Sequence, residues 1–334
     1  MEVARGYSLR QHNTFGVDAQ AAFFARVQTP AELAALLEDP ELRGAPRLVL
    51  GGGSNILFTR DFDGLVIENA IEGIRVLARE GDTAVVEAGA GVVWHDLVLF
   101  CVEHDLGGLE NLALIPGRVG ASPIQNVGAY GVEIKDVFES LEAMEIATGR
   151  VRTFRLEECR FGYRNSVFKQ EAKGRYIILA VRFRLTTREH RLNLGYAALA
   201  SLRPTPTTIR DVCEAVIAIR RSKLPDPAEL GNAGSFFKNP EVSLEQYAAL
   251  KAAHPGLVAY PSEGGMKLAA GWLIEQCGWK GKRVGNVGAH ARQALVIVNY
   301  GGATGAEILD FARQVQASVA ARFGVALQTE VNII

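Results

Sequence analysis

Residues 115–131 constrain the fold more than any other stretch. The segment reads Ile-Pro-Gly-Arg-Val-Gly-Ala-Ser-Pro-Ile-Gln-Asn-Val-Gly-Ala-Tyr-Gly, with four glycines and two prolines. Such a composition excludes a long regular helix or strand, and the many apolar residues argue against a flexible linker. We therefore predict a long, ordered loop shaped around a ligand, with a purely structural loop as the alternative. Gln125 and Asn126 would offer amide groups to the edge of a heterocycle.

A second glycine-rich segment follows a predicted strand. Arg47-Leu-Val-Leu50 reads as a buried strand and runs into Gly51-Gly-Gly-Ser-Asn55. Backbone N–H groups in such a turn can point at an anion without side chains in the way, which predicts a phosphate cradle. The segment matches neither a Walker loop nor a GxGxxG fingerprint. A tight turn between strands is the alternative.

A third segment, Gly231-Asn-Ala-Gly-Ser-Phe-Phe-Lys-Asn-Pro240, places one hydroxyl, Ser235, beside two phenylalanines. The aromatic pair could exclude water while the hydroxyl gives or takes a proton. Upstream, the proline-pinned segment Lys223-Leu-Pro-Asp-Pro227 presents a cation. An ordinary surface turn with buried phenylalanines is the alternative.

Length and composition exclude several classes of protein. The 334 residues suggest two or three domains, and a net charge of −1 gives no electrostatic case for binding nucleic acid or a membrane surface. No apolar run approaches the ~18 residues that span a bilayer, and no signal peptide is evident. The four cysteines are widely spaced, with no metal-binding pattern. We expect buried free thiols and a cytoplasmic location.

Hydrophobic periodicity divides the chain into a small αβ unit, a β-rich middle and an α/β end. A capping box at Thr29 and Glu32 predicts a helix over residues 30–38. A second helix is predicted over residues 92–104, with His95 at the surface. Residues 325–334 read as a closing strand that carries one acid, Glu330.

Two further charged residues are candidates for a site. Arg164 follows Tyr163 in an aromatic surround, and its guanidinium is a natural partner for a carboxylate. Glu330 near the end of the sequence could face a ligand. The alternatives are a surface arginine stacked on tyrosine and a solvated glutamate.

Several segments together resemble one family, the UDP-N-acetylmuramate dehydrogenases, also called UDP-N-acetylenolpyruvoylglucosamine reductases. The resemblance covers the chain from about residue 8 onward. The segments that carry it are Asn13-Thr-Phe15, Leu50-Gly-Gly-Gly-Ser-Asn55, the Pro116–Gly131 run, Tyr163-Arg-x-Ser166, Lys223-Leu-Pro-Asp-Pro227, Gly231–Pro240, Lys267-Leu-Ala-Ala-Gly-Trp-Leu-Ile274 and Gln293-Ala-Leu-Val296. Tyr196 resembles the form of the family that has a substrate-closing loop.

The resemblance implies an α+β fold. A two-part FAD-binding region of the vanillyl-alcohol-oxidase type would occupy residues 1–70 and 71–205. A C-terminal α/β substrate-binding domain would occupy residues 206–324, and residues 325–334 would return to the active site as a strand.

The reaction implied by the resemblance has two halves. NADPH reduces the flavin, and the reduced flavin then gives a hydride to the vinyl carbon of UDP-N-acetylglucosamine enolpyruvate. Ser235 matches the family's proton donor, and Arg164 and Glu330 match the pair that polarises the substrate carboxylate. Substrate contacts are expected from Tyr163, Tyr196, Lys223, Asn239, Tyr260 and Gln293. FAD contacts are expected from Leu50, Gly51, Gly52, Gly53, Ser54, Asn55, Pro116, Gly117, Gly120, Ala121, Gln125, Asn126, Gly128 and Ala129.

Two residues depart from the family pattern. Arg118 stands where a small hydroxyl residue is usual, and Asn332 stands where some relatives have an arginine. The choice between NADPH and NADH is open, because no Rossmann acid or 2′-phosphate arginine is present to read. We expect non-covalent FAD, a UDP-sugar substrate, a monomer, and no nucleic acid, metal or membrane insertion. A flavin oxidase on the same fold and a non-catalytic nucleotide-sugar binder are the competing interpretations.

Overall fold

The computed structural model describes residues 1–262 and 264–334, which form two compact units. Unit 1 comprises residues 1–7, 21–52 and 63–222, and unit 2 comprises residues 8–20, 53–62 and 223–334. The chain passes from unit 1 to unit 2 for the last time at Lys223.

The elements run in the following chain order. The strands are β1 Val3–Ser8, β2 Gln20–Val27, β3 Arg47–Leu50, β4 Ile56–Leu57, β5 Phe62–Asn69, β6 Ile74–Glu80, β7 Thr83–Gly89, β8 Gly128–Ala129, β9 Val132–Glu133, β10 Phe138–Glu145, β11 Val151–Arg155, β12 Tyr176–Thr186, β13 Gly231–Ser235, β14 Glu241–Val242, β15 Ala259–Ser262, β16 Gly265–Leu268, β17 Arg283–Val284, β18 Val287–Ala289, β19 Val296–Asn299 and β20 Asn332–Ile333. The helices are α1 Pro30–Glu38, α2 Trp94–Glu103, α3 Leu156–Cys159, α4 Ala197–Ala200, α5 Ile209–Lys223, α6 Leu244–Ala253, α7 Ala270–Gln276 and α8 Gly305–Phe323.

Helix α1 begins where its capping box predicts. The Thr29 side chain accepts a 3.1 Å hydrogen bond from the Glu32 N–H, and the Glu32 carboxylate accepts one of 2.7 Å from the Gln28 N–H. Leu33 and Leu36 are fully buried on one face. The predicted helix over residues 30–38 is confirmed, because all its signals are local.

Among the described residues, unit 1 contains two large sheets and the two-stranded sheet of β8 and β9. A four-stranded sheet has the order β1-β2-β5-β3, with β3 and β5 parallel. An antiparallel five-stranded sheet has the order β11-β10-β12-β7-β6. Helix α2 packs on the second sheet, where Trp94 lies edge-to-face on Phe183 with ring centroids 5.9 Å apart.

A β-bulge divides the side chains of β12 between two cores. Glu142 pairs with Ala180 while the next residue of β10 pairs with Ile178, so Leu179 is an extra residue in the ladder. Ile177 and Leu179 pack into the core that also holds α1. After the bulge the alternation reverses, and residues 181, 183 and 185 pack with α2.

Unit 2 has its own core. The antiparallel sheet β13-β19-β18-β17 packs with α7 and α8, and a smaller sheet has the order β14-β16-β15. Helix α8 begins at a capping box between Thr304 and Glu307 and ends at Gly324, which adopts the left-handed conformation.

The predicted closing strand over residues 325–334 is wrong as a continuous element. Only Asn332–Ile333 forms a strand, parallel to β4, and Thr329 makes an isolated bridge with Phe237. The intervening backbone is irregular, because no neighbouring strand offers it a continuous ladder of partners.

The mixture of antiparallel sheets and packed helices agrees with the predicted α+β class. The predicted boundaries at residues 70, 205 and 324 stay predictions. Among the described residues, no helix has the length and apolar character needed to cross a bilayer.

Candidate active site

The two glycine-rich segments predicted to bind FAD meet in unit 1. A methyl group built on Gly52 would lie 3.2 Å from the Cα atom of Gly117, and one built on Gly51 would lie 3.2 Å from the Cβ atom of Arg118. Within the described residues, the backbone N–H groups of Gly52 and Gly117 donate no hydrogen bond. Two stretches of backbone thus approach closely and leave amide donors for an anion.

The loop after Pro116 rests on the turn that follows β7. The N–H of Gly120 donates a 2.9 Å hydrogen bond to the Ala90 carbonyl, and a methyl group on Gly120 would lie 2.5 Å from the Ala90 Cβ. Residues Val119–Ala121 form one 3-10 turn, and the two-residue strand β8 completes the loop. The prediction of a long, ordered, apolar loop is confirmed.

Asn126 organises this loop from inside. Its side chain is fully buried and donates to the Glu133 carboxylate at 2.8 Å and to the Gly162 carbonyl at 3.1 Å. Its amide oxygen accepts from the Lys135 N–H at 3.2 Å. The expected contacts of Gln125 and Asn126 with the cofactor stay predictions, and the bonds observed for Asn126 shape the loop.

The structure brings Arg164 onto the same loop. Its Nη2 donates a 2.8 Å hydrogen bond to the carbonyl of Gly128, a predicted cofactor residue. The guanidinium lies 5.5 Å from the ring centroid of Tyr163, and the Arg164 backbone is left-handed with φ of 51°. The buried Ser166 hydroxyl donates to the Ile124 carbonyl at 2.7 Å and ties the two loops together.

In unit 2, a bulge in β13 positions Ser235. The pairing with β19 shifts between Asn232 and Ser235, and Gly234 adopts φ of 69°, which favours glycine. The Asn232 amide oxygen accepts a 2.9 Å hydrogen bond from the Gly234 N–H. Ser235 is half-buried beside Phe236, which is fully buried.

The irregular segment after α8 brings Glu330 to the Ser235 strand. The Glu330 N–H donates a 2.8 Å hydrogen bond to the Phe236 carbonyl, and the Lys238 N–H donates one of 2.9 Å to the Gln328 carbonyl. Asn332 donates through its side chain to the Asn55 carbonyl at 2.9 Å. The segment that carries Glu330 thus bonds the residue after Ser235 on one side and the carbonyl of Asn55 on the other.

The other predicted substrate residues are distributed over both units. In unit 2, the Asn239 side chain accepts from the Ala270 N–H at 3.0 Å, and Gln293 lies beside Gly271, so both flank the start of α7. Tyr260 is exposed on β15, and Lys223 is exposed at the end of α5. In unit 1, Tyr196 lies edge-to-face on Tyr130 at 4.9 Å between ring centroids.

Sequence reasoning missed a polar cluster beside Tyr196. Arg220 bonds the Tyr130 hydroxyl and donates to the Leu114 carbonyl at 3.1 Å. His95, expected at the surface, is half-buried, and its Nδ1 accepts from the Leu114 N–H at 3.0 Å. Burial lowers the pKa of both His95 and Arg220. Arg220 lies one helical turn before Lys223, so both side chains lie on the same face of α5, and that spacing could have identified Arg220 as a candidate.

Cys101 and Cys213 are buried free thiols, as predicted, and burial raises their pKa to about 12 and about 11; Cys277, predicted with them, is a free thiol that is only half-buried. No group of acidic, histidine or cysteine side chains among the described residues is arranged to hold a metal ion.

The close glycine segments with amide donors suit a phosphate-bearing cofactor, and the comparisons with known proteins identify the class as FAD-dependent oxidoreductases. A model of an FAD-binding domain matches residues 21–155. A model described as the C-terminal domain of UDP-N-acetylenolpyruvoylglucosamine reductase matches residues 226–334. The chain belongs to the UDP-N-acetylenolpyruvoylglucosamine reductase family.

Curated relatives and a solved structure agree with this assignment. The chain is 54% identical to proteins named UDP-N-acetylenolpyruvoylglucosamine reductase from Burkholderia ambifaria and Burkholderia orbicola, over 97% of this chain and 95% of each relative. A crystal structure of UDP-N-acetylenolpyruvylglucosamine reductase from Thermus caldophilus superposes with a TM-score of 0.67 at 26% identity, covering 99% of this chain and 98% of that one.

Proposed function

We propose that Ser235, Arg164 and Glu330 perform the chemistry of this reductase. The chain is an FAD-dependent enzyme that reduces UDP-N-acetylglucosamine enolpyruvate to UDP-N-acetylmuramate, with NADPH as reductant, in the synthesis of peptidoglycan precursors. The observation that carries the proposal is the hydrogen bond between the Glu330 N–H and the carbonyl next to Ser235. Through it the backbone of the Glu330 segment lies beside the backbone of the Ser235 segment, although the two are far apart in the sequence.

The glycine segments fit FAD. The approach of Gly52 to Gly117 leaves no room for side chains, and their N–H groups suit a pyrophosphate. Residues 50–55 would hold that group, and residues 116–129 would hold the ring system. FAD held by these residues would supply the transfer of a hydride from NADPH to the vinyl carbon of the substrate.

Each of the three side chains has a separate role toward the substrate. Hydride addition leaves negative charge on the carbon next to the carboxylate, and Ser235 would protonate that carbon. Arg164, whose guanidinium is fixed by the Gly128 carbonyl, would pair with the carboxylate. A donor placed where charge develops is worth about 3–4 kcal/mol of barrier. Glu330 would act with Arg164 to polarise that carboxylate.

The diphosphate of the UDP-sugar would contact Lys223, Asn239 and Tyr196. A flexible ammonium group with neutral donors suits a diphosphate, whose charge is spread over several oxygens. Tyr163, Tyr260 and Gln293 would complete the substrate contacts.

A monomeric enzyme in the cytoplasm, where nucleotide-sugar precursors are made, is part of the same proposal. The near-neutral net charge and the four free cysteines support it. The same proposal includes a functional division into two FAD-binding parts, residues 1–70 and 71–205, and a substrate-binding part that begins at residue 206.

The decisive experiment separates the two half-reactions of Ser235→Ala by rapid mixing. Reduction of the bound flavin by NADPH should keep its rate, because the hydroxyl has no role in it. Reoxidation by the enolpyruvyl substrate should slow by about 10²–10⁴-fold, as expected when one positioned acid is lost.

Ser318→Ala is the matched control, because the Ser318 hydroxyl of unit 2 bonds only the carbonyl one turn earlier in α8. It should leave both rates unchanged. Equal slowing of both half-reactions in Ser235→Ala would contradict the proposed proton transfer. Reoxidation by oxygen faster than by the enolpyruvyl substrate would instead favour the oxidase alternative.

A further inference from the structure

Arg118 lies between glycine segments of unit 1. Its Cβ and Cγ atoms would be 3.2 and 3.3 Å from a methyl group on Gly51, so its aliphatic stem lies across the predicted phosphate cradle. Its Nη1 donates a 2.7 Å hydrogen bond to the Gly91 carbonyl, in the turn after β7. The guanidinium is therefore held at a fixed place beside the two loops that would hold FAD.

The charge of Arg118 is not balanced by the protein. Within residues 1–262 and 264–334, no acidic side chain forms an ion pair with it. The residue is half-buried, and a partly desolvated cation gains from an anionic partner. A guanidinium has five N–H donors, so the bond to Gly91 leaves donors for another acceptor.

The neighbouring backbone indicates which anion would bind. The N–H groups of Gly52 and Gly117 donate to no described residue, and such paired amides bind phosphates. A pyrophosphate offers adjacent charged oxygens, which match the fork of a guanidinium. We propose that Arg118 binds the pyrophosphate of FAD and thereby adds a cation to a cradle otherwise made of backbone amides. This inference rests on the proposed placement of FAD at Gly51 and Gly52.

The competing role for Arg118 is structural: its hydrogen bond to the Gly91 carbonyl stabilises the turn after β7. The two roles differ in the ligands that they affect. A contact with phosphate concerns FAD and not riboflavin, which has no phosphate, whereas a brace shapes the loop for both.

The test titrates apoprotein with FAD and with riboflavin, following flavin fluorescence, for wild type, Arg118→Ser, Arg118→Lys and Arg150→Ser. Arg150 is an exposed arginine of the β10–β11 turn, and its replacement controls for net charge. Arg118→Ser should weaken FAD binding about tenfold or more, the size expected for one charged hydrogen bond. Riboflavin binding and the Arg150→Ser variant should be unaffected.

The salt dependence supplies a second measurement. Because an arginine–phosphate contact is screened by salt, the dissociation constant for FAD should rise less steeply with NaCl in Arg118→Ser than in wild type. Arg118→Lys should restore part of the FAD affinity, and its dissociation constant should rise with NaCl as steeply as that of wild type. This measurement decides the question if riboflavin binds too weakly to be titrated.

Three results would overturn the inference: unchanged FAD affinity in Arg118→Ser, an equal loss for FAD and riboflavin, or an unchanged salt slope. A wild-type protein that binds no FAD would instead contradict the proposed function itself. Thermal unfolding of the apoproteins shows whether a loss of binding reflects a loss of folding.

Discussion

The Glu330 N–H donates a 2.8 Å hydrogen bond to the carbonyl of Phe236, the residue that follows Ser235. Since this bond uses only main-chain atoms, it can form with any residue other than proline at position 330. The position of the Glu330 carboxyl group can therefore be kept while its chemistry is changed.

Glu330→Gln should fold normally and keep its rate of flavin reduction by NADPH. Reoxidation by the enolpyruvyl substrate should slow by about 10²–10³-fold, the loss typical of removing one group that stabilises a developing charge. Rapid-mixing absorbance of the flavin band measures both rates.

Glu245→Gln, at an exposed position in the first turn of α6, controls for the change in charge and should behave as wild type. Unaltered reoxidation in Glu330→Gln would remove Glu330 from the catalytic group and leave it a structural residue.

Gly52→Ala should bind FAD more weakly than wild type does. The added methyl group would lie 3.2 Å from the Gly117 Cα, which is backbone and can move only with its loop. Overpacking of this kind costs about 1–3 kcal/mol, and the two loops must separate to admit the methyl group. We expect at least tenfold weaker FAD binding in equilibrium titration, with a modest drop in the melting temperature of the apoprotein.

Gly44→Ala is the matched control, because no atom lies within 4 Å of a methyl group there and its backbone is not left-handed. It should bind FAD as wild type does. Full FAD affinity in Gly52→Ala would show that the cofactor does not depend on this close approach.

Glu87 should make unit 1 sensitive to acid. Its carboxylate lies 2.5 Å from Arg75 and 2.7 Å from Arg182, and its side chain is 8% exposed. Burial alone would raise its pKa, but the hydrogen bonds from Arg75 and Arg182 hold the pKa of Glu87 below the usual 4.5. Because the folded pKa is lowered, the stabilisation is complete above pH 4.5 and is lost as the pH falls through the folded pKa.

Glu87→Gln should therefore lower the melting temperature at pH 7. As the pH is lowered from 5 to about 3, where carboxylates titrate, the melting temperature of the variant should fall less steeply than that of wild type. The expected loss at neutral pH is about 1–3 kcal/mol, since the partly buried guanidinium of Arg182 and the exposed one of Arg75 lose a charged partner. Differential scanning calorimetry over this pH range checks it. Glu80→Gln should change little, because the Glu80 side chain is 74% exposed and lies 3.8 Å from Arg184.

Local signals in the sequence predicted much of the fold. The capping box of α1 acts within a few residues, and the structure has that helix where it was expected. The start of the Ser235 segment, interpreted from its glycines as a loop or turn, is instead the strand β13. The resemblance supplied the candidate residues, and the structure joins Arg164 to Gly128 in unit 1 and Glu330 to the neighbour of Ser235 in unit 2.

Features that depend on distant partners could not be predicted. The apolar alternation of Val325, Leu327 and Val331 is typical of a strand, yet these residues only fill the core of unit 2. His95 is half-buried where its Nδ1 accepts a hydrogen bond from the Leu114 N–H, a partner that no periodicity in α2 reveals.

The bulge at Leu179 has a consequence for how unit 1 melts. Because one continuous strand supplies side chains to the core around α1 and to the core around α2, neither can come apart without loosening the backbone of the other. Unit 1 should therefore unfold in a single cooperative transition, with the amide protons of Ile177 and Val181, one from each core, exchanging at the same slow rate.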